Sequence, residues 1–241
     1  MYDLTKFTLS HMTACGAALR HLGADAGSME EAAGRIVRHL YDSFTDPRSG
    51  ERSLVLVRLF ETIAYQDLGP DLQKVVQPAM ERARSQPNMK CLTLLGTAGS
   101  KPEWNSRAES TGHQAIPLSG EKTIARFPMI SQLIEQLDFH LGVLLQPDQD
   151  LLVDLEQKTY NVFHVSQARG SPHVPAQEDF VIPWGVRSVL GFGGMLPSGD
   201  LFATIIFSRT PIDRDTANMF KPLALSAKVA LLPFVGGRIF T

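Results

Sequence analysis

The residues best equipped for chemistry cluster in the middle of the chain. Trp104, Asn105 and Arg107 fall within KPEWNSR (101–107). They offer a stacking surface, an amide that orients polar atoms and a guanidinium that pairs with anions. The same trio has a structural use, in which Trp104 anchors a loop to the core and Asn105 caps it. His113 follows in the same stretch, and His164 falls in YNVFHV (160–165), a run with strand character. Arg187 opens the glycine-loaded run 185–196 and needs either solvent or an anion. Trp184, directly after Pro183, reads as a core plug, and strand alternation sends it and Arg187 to opposite faces, so that only one faces a pocket. Trp104, Asn105, Arg107, His113, His164 and Arg187 form the candidate ligand-binding set. What they would hold is a small molecule.

Signatures of catalysis are missing. There is no Gly-x-Ser-x-Gly elbow, no His-Glu-x-x-His and no phosphate loop. The 7 histidines, His11, His21, His39, His113, His140, His164 and His173, show no close paired spacing, so no metal ligand is assigned. With 2 cysteines, Cys15 and Cys91, neither a disulfide framework nor a four-cysteine zinc site is possible, and the usage fits a reducing compartment. Cys91 is expected to be a small buried hydrophobe. The chain is therefore expected not to be an enzyme, and it names no cofactor.

Lys plus Arg number 23 against 25 Asp plus Glu, a formal charge of −2, which gives no field favouring nucleic acid or an anionic membrane. The first residues lack a basic stretch followed by an apolar core and a cleavage site, and no run reaches the apolar length of a membrane span. A cytoplasmic location is the expectation. A hydrophobic share of 44% over 241 residues is ample for a substantial core.

The elements that must position these residues follow from periodicity. SMEE (28–31) is a capping box, and Met29, Ala33, Ile36, Val37, Leu40, Tyr41 and Phe44 recur behind it at helical spacing. A preceding helix is expected over 3–22, interrupted by Gly16. SLVLVRLF (53–60) and MKCLTLL (89–95) read as strands, the second ended by Gly96 and Gly99, with a short helix over 72–84 between them. Residues 100–122 read as a long loop, 123–137 as a helix that starts near Pro128, and 160–165 as a short strand. Residues 169–177 fit either a lid or a solvated connector. The runs 185–196 and 201–207 make a hairpin across PSGD (197–200). Gly191, Gly193 and Gly194 then mark a bent central strand or a ligand lying on the backbone. A last helix is expected over 211–232, with Pro222 kinking it or delaying its start.

This succession, SMEEAAGRIVRHLYDSF, SLVLVRLF, MKCLTLL, a long middle, and then GVRSVLGFGGMLPSGDLFATIIFSRTPIDRDTANMFKPLALSAKVALLPF, resembles a GAF domain. More closely it resembles the large GAF-like sensory module near the N-terminus of bacterial hybrid histidine kinases and related regulators. The resemblance implies an α+β fold, a single domain over 1–241 with an enlarged middle at about 100–180. A central antiparallel sheet would carry terminal helices on one face and a pocket under long loops on the other. It also implies homodimerisation through terminal helices and a downstream histidine kinase or other effector. Cys15 precedes Gly16 and Cys91 precedes Leu92, so the cysteine-histidine pair of bilin-binding members is missing, as is the Asn-Lys signature of cyclic-nucleotide binders. The expected function is small-molecule sensing. The alternatives are a structural dimerisation module and a small-molecule redox enzyme that uses Cys91.

Overall fold

The first helix starts later than the expected span 3–22, because Thr8 caps it. In the computed structural model, which describes residues 1–83, 86–110, 112–120, 124–125, 127–136 and 161–241, a 3-10 turn covers Leu4–Lys6 and α1 runs over Leu9–His21. The Thr8 hydroxyl accepts the His11 backbone N–H. Helix α2, Met29–Ser43, begins as the SMEE box requires, with Ser28 Oγ accepting the Glu31 N–H at 3.1 Å. Glu31 reaches one residue further back than a strict box and accepts the Gly27 N–H at 2.8 Å. Ala32, Ala33, Ile36, Val37 and Leu40 form the inner face and are fully buried.

Six strands make one sheet: β1 Leu54–Ala64, β2 Lys90–Gly99, β3 Ala115–Pro117, β4 Val162–Val165, β5 Ser188–Met195 and β6 Leu201–Ser208. Their order is β3-β2-β1-β6-β5-β4, with every neighbouring pair antiparallel. All 11 residues of β1 are buried. Val57, Leu59 and Ile63 join one apolar cluster, with the terminal helices, while Leu56 and Phe60 join a second on the opposite face. Burial on both faces is why β1 reads as a continuous apolar run instead of alternating. The architecture is α+β, with terminal helices on one face and the middle segments across the other.

Several boundaries differ from the sequence reading, each for a packing reason. Gly96 lies inside β2, whereas Gly99 is its last residue. A Cβ at Gly96 would stand 2.7 Å from the Ala33 carbonyl, so glycine is what lets α2 press its backbone on the strand. At Gly99 a Cβ would stand 2.9 Å from the Trp104 ring. β3, hidden in the expected loop, pairs Leu92 with Ile116 at the sheet margin. Helix α3 covers Pro70–Ala83, and α4 covers Pro128–Gln136, starting at its proline. Thr123, Leu137, His140 and Tyr160 lie outside the described residues. The last helix is two: α5, Arg214–Asn218, capped where Asp213 Oδ1 accepts the Thr216 N–H at 2.7 Å, and α6, Lys221–Leu231, with Pro222 in its first turn. Phe220, between them, stacks on Phe7 at 5.1 Å and Phe44 at 5.8 Å, clasping both chain ends.

In the hairpin, Gly199 takes φ 80° and the Leu196 N–H donates to Asp200 O at 2.8 Å. The glycines of β5 are accounted for by their protein neighbours. A Cβ at Gly193 would collide with Phe202 O at 2.1 Å, and one at Gly191 would meet Ile205, Leu133 and Phe163. Protein atoms, not a ligand, occupy those approaches.

On the helix-side face, Glu61 is 4% exposed and its Oε2 has no hydrogen-bond partner among the described residues. Burial, with the Asp200 charge adding to it and Lys90 opposing, pushes its carboxyl up to about 8. The folded state therefore holds a proton that the unfolded chain releases, so stability falls as pH rises from the ordinary carboxylate range towards 8. Urea titrations between pH 5 and 8 should show a loss approaching about 1.4 kcal/mol per pH unit, and Glu61→Gln should flatten that slope. An unchanged slope in the variant would assign the dependence elsewhere.

Candidate ligand-binding site

The face of the sheet away from the terminal helices does not close completely. Between it and the segments crossing it lies a cavity of about 580 Å³. Its floor is Leu56, Arg58 and Phe60 of β1, Leu92 of β2, and Ile205 and Phe207 of β6. The roof and walls come from Trp104, His113, Phe127, Leu133 of α4, Ala176 and Phe180. Volume and lining match those of small-molecule sites, which are concave, mostly apolar and furnished with a few polar groups.

One wall is an aromatic stack. Trp104 lies 4.8 Å from Trp184 and edge-on to Phe180 at 5.4 Å, and Phe180 stands edge-on to Phe207 at 5.0 Å. Lys101 Nζ sits 5.6 Å from the Trp104 ring and 5.8 Å from that of Trp184, within cation–π reach of both. Trp184 is half-buried in this stack, at the margin of the core and not the core plug expected from its place after Pro183, and its carbonyl accepts from Arg209 Nε at 3.3 Å. Arg209 Nη2 also holds Ser100 Oγ at 3.2 Å, so one guanidinium ties the start of the roof to this wall.

Local backbone strain gathers here. Among the described residues, the non-glycine positions with positive φ are His113 and Ala176, both at 56°, and both line the cavity. Ala176 opens a single π turn over Gln177–Val181 that carries Asp179 and Phe180 to the wall. Such conformations persist only when their surroundings enforce them. Gln177 supplies part of that enforcement: its Nε2 donates to the carbonyls of Val174 at 2.7 Å and Ala168 at 3.0 Å, and its Oε1 accepts the Gly170 N–H at 2.9 Å. The segment 168–177 is thus pinned from within, and Pro175 and Ala176 reach the cavity.

The sequence candidates divide between the cavity and other duties. Trp104 and His113 line it. The His113 ring lies 6.1 Å from Phe127, and burial, helped by the Arg58 charge, lowers its pKa so that it is neutral near pH 7. Asn105 is a lock for the roof: Nδ2 donates to Lys101 O at 2.7 Å and Gly99 O at 3.1 Å, and Oδ1 accepts the Gly99 N–H at 3.0 Å and an Arg38 N–H. Arg107 turns to the terminal elements, pairing with Glu30 at 2.7 Å and Asp71 at 3.0 Å and lying over Phe240. His164 alternates with Phe163 and Val165 of the cavity-side cluster, which places it on the other face, with Nε2 at 2.9 Å from Ile212 O. Arg187 is exposed, beside a separate depression of about 430 Å³ that Arg169 also lines.

Arg58, Phe180 and Asp179 are cavity residues that the sequence reading did not single out. Phe180 and Asp179 lie in a segment with no periodic pattern. Arg58 did leave a signal, as the one charge in SLVLVRLF (53–60). It is 9% exposed, and its Nη2 donates to Ser110 Oγ at 2.7 Å. No group of His, Cys, Asp and Glu among the described residues is arranged to hold a metal ion. Both cysteines are buried, which pushes their thiols up to about 12.

No protein-family model matches the chain, and no curated protein matches it. Among solved structures it is similar to the crystal structure of the N-acylhomoserine lactone dependent LuxR family transcription factor CepR2 from Burkholderia cenocepacia. The identity is 13%, with 94% of this chain and 97% of that chain covered and a TM-score of 0.39. A likeness that distant does not bear on the ligand. Among the described residues, no helix is long and apolar enough to cross a membrane.

Removing the Asn105 amide should loosen the roof without emptying the core. Asn105→Ala is expected to cost about 2 kcal/mol and to speed amide hydrogen exchange across 99–110 at least tenfold, while α2 exchanges as before. Unchanged exchange over 99–110 would show that the roof is held by other contacts.

Proposed function

We propose that this chain is a small-molecule-sensing regulatory domain of the GAF type, belonging to a bacterial signal-transduction protein that ends in a histidine kinase or comparable effector. The observation that carries the reading is the cavity of about 580 Å³ under the middle segments. A purely structural module has no use for an unfilled chamber of that size, which forfeits packing. The buried Cys91 thiol, held protonated, is a poor nucleophile, which favours binding over redox chemistry.

A route for the signal runs through Arg107. It sits on the segment following the roof turn Pro102–Asn105 and grips Glu30 in the first turn of α2. Glu30 Oε2 in turn accepts the backbone N–H of Thr241 at 3.1 Å and its hydroxyl at 2.9 Å. A ligand that favours one setting of the roof shifts the helix layer only by its difference in affinity for the two settings. The junction between α5 and α6 at Phe220 and Pro222 is the natural pivot. Homodimerisation would use α6 and the 3-10 turn that follows it, where Leu225, Val229 and Leu232 are 50%, 37% and 38% exposed.

Native mass spectrometry of freshly purified protein should show a dimer and a bound small molecule, or binding from a metabolite library. Ile205→Trp, which fills the cavity, should abolish the bound mass, and Leu225→Glu should give monomer. Ligand should also slow hydrogen exchange in the first turn of α2, and Arg107→Gln should remove that response while keeping affinity within about threefold. A wild-type cavity that takes nothing from the library, or an α2 that never responds, would defeat the sensor reading.

A further inference from the structure

Arg58 supplies information about the ligand that the cavity's volume does not. It stands mid-strand on the cavity floor, among Leu56, Phe60, Leu92 and Ile116, and a guanidinium stays charged in proteins. Its hydrogen bond goes to a neutral hydroxyl, Ser110 Oγ, and its Nε has no partner among the described residues. The ion pairs of those residues are Arg35–Glu31, Arg52–Asp42, Lys90–Asp200, and Arg107 with Glu30 and Asp71. None neutralises Arg58. Asp179 also lines the cavity but makes no ion pair with it, and burial alone lowers the Arg58 pKa to about 10. A cation this deeply buried is ordinarily compensated by an opposite charge.

We infer that the missing counter-charge belongs to the ligand: the cavity takes a small molecule with an apolar or aromatic body and one anionic head, a carboxylate, sulfonate or phosphate ester, seated against Arg58 and Ser110. The surroundings suit such a molecule. His113, neutral beside Arg58, can donate a hydrogen bond to the head and brings no charge of its own. The aromatic wall of Trp104, Phe180 and Phe207 accommodates the body. This inference rests on the cavity being the ligand site, and its test separates the two.

The probes are 8-anilinonaphthalene-1-sulfonate and N-phenyl-1-naphthylamine, which share one aromatic body and differ by the sulfonate. Both should bind the wild-type protein and lose binding in Ile205→Trp, with the anion at least tenfold tighter. Arg58→Met should weaken the anionic probe tenfold or more and leave the neutral one within twofold, and Arg58→Lys should keep part of the preference. The wild-type protein gives a second reading that needs no variant at position 58: decanoate should displace the neutral probe at a tenfold lower concentration than 1-decanol. Equal affinities for the probe pair, equal displacement by acid and alcohol, or a preference that survives Arg58→Met would overturn the anionic head while leaving a working cavity. If neither probe enters, the cavity reading falls with it.

Discussion

Burial of the sheet on both sides is the constraint on which the rest depends. β1 and β6 are buried along their whole length, so neither face can be left to water. The chain meets this demand in two different materials. On one face, regular helices with small residues at the contact points pack closely, as where Ala33 of α2 rests on Gly96. On the other, the short helix α4 and irregular segments span the sheet. The irregular segments are fixed by side chains that bond to backbone, Asn105 and Gln177 foremost. A cover made that way can arch over the sheet and leave space, which close-packed helices cannot.

Much of the architecture was legible because it is written in local rules. The cap at Ser28, the proline start of α4, the PSGD turn and the delay imposed by Pro222 each rest on a single residue's backbone chemistry, and each formed where that chemistry put it. The misreadings had separate physical origins. Gly96 looks like a strand breaker until the partner that needs its missing side chain, Ala33 of α2, is known, and that partner is distant in sequence. β3 was hidden because a strand of 3 residues at a margin carries no periodicity.

The candidate site was legible in part. The fragment KPEWNSR does hold the roof together, yet its members serve different masters: Trp104 faces the chamber, Asn105 binds the turn, and Arg107 joins the chamber's cover to the helices. Residue type told what each can bind, and only tertiary placement told whether a protein group already satisfies it. Arg58 illustrates the converse. A lone charge inside an apolar strand is a stronger sign of a buried duty than any charge in a polar loop, since burying it is costly.

The strands at the two margins of the sheet are its shortest, Ala115–Pro117 and Val162–Val165. A long bare margin would offer a template on which further chains could add strand by strand, the route to fibrous aggregates. Here Pro117 lacks an N–H to donate, and the opposite margin extends over only 4 residues. So stunted a pair of borders offers a neighbouring chain little ladder to copy.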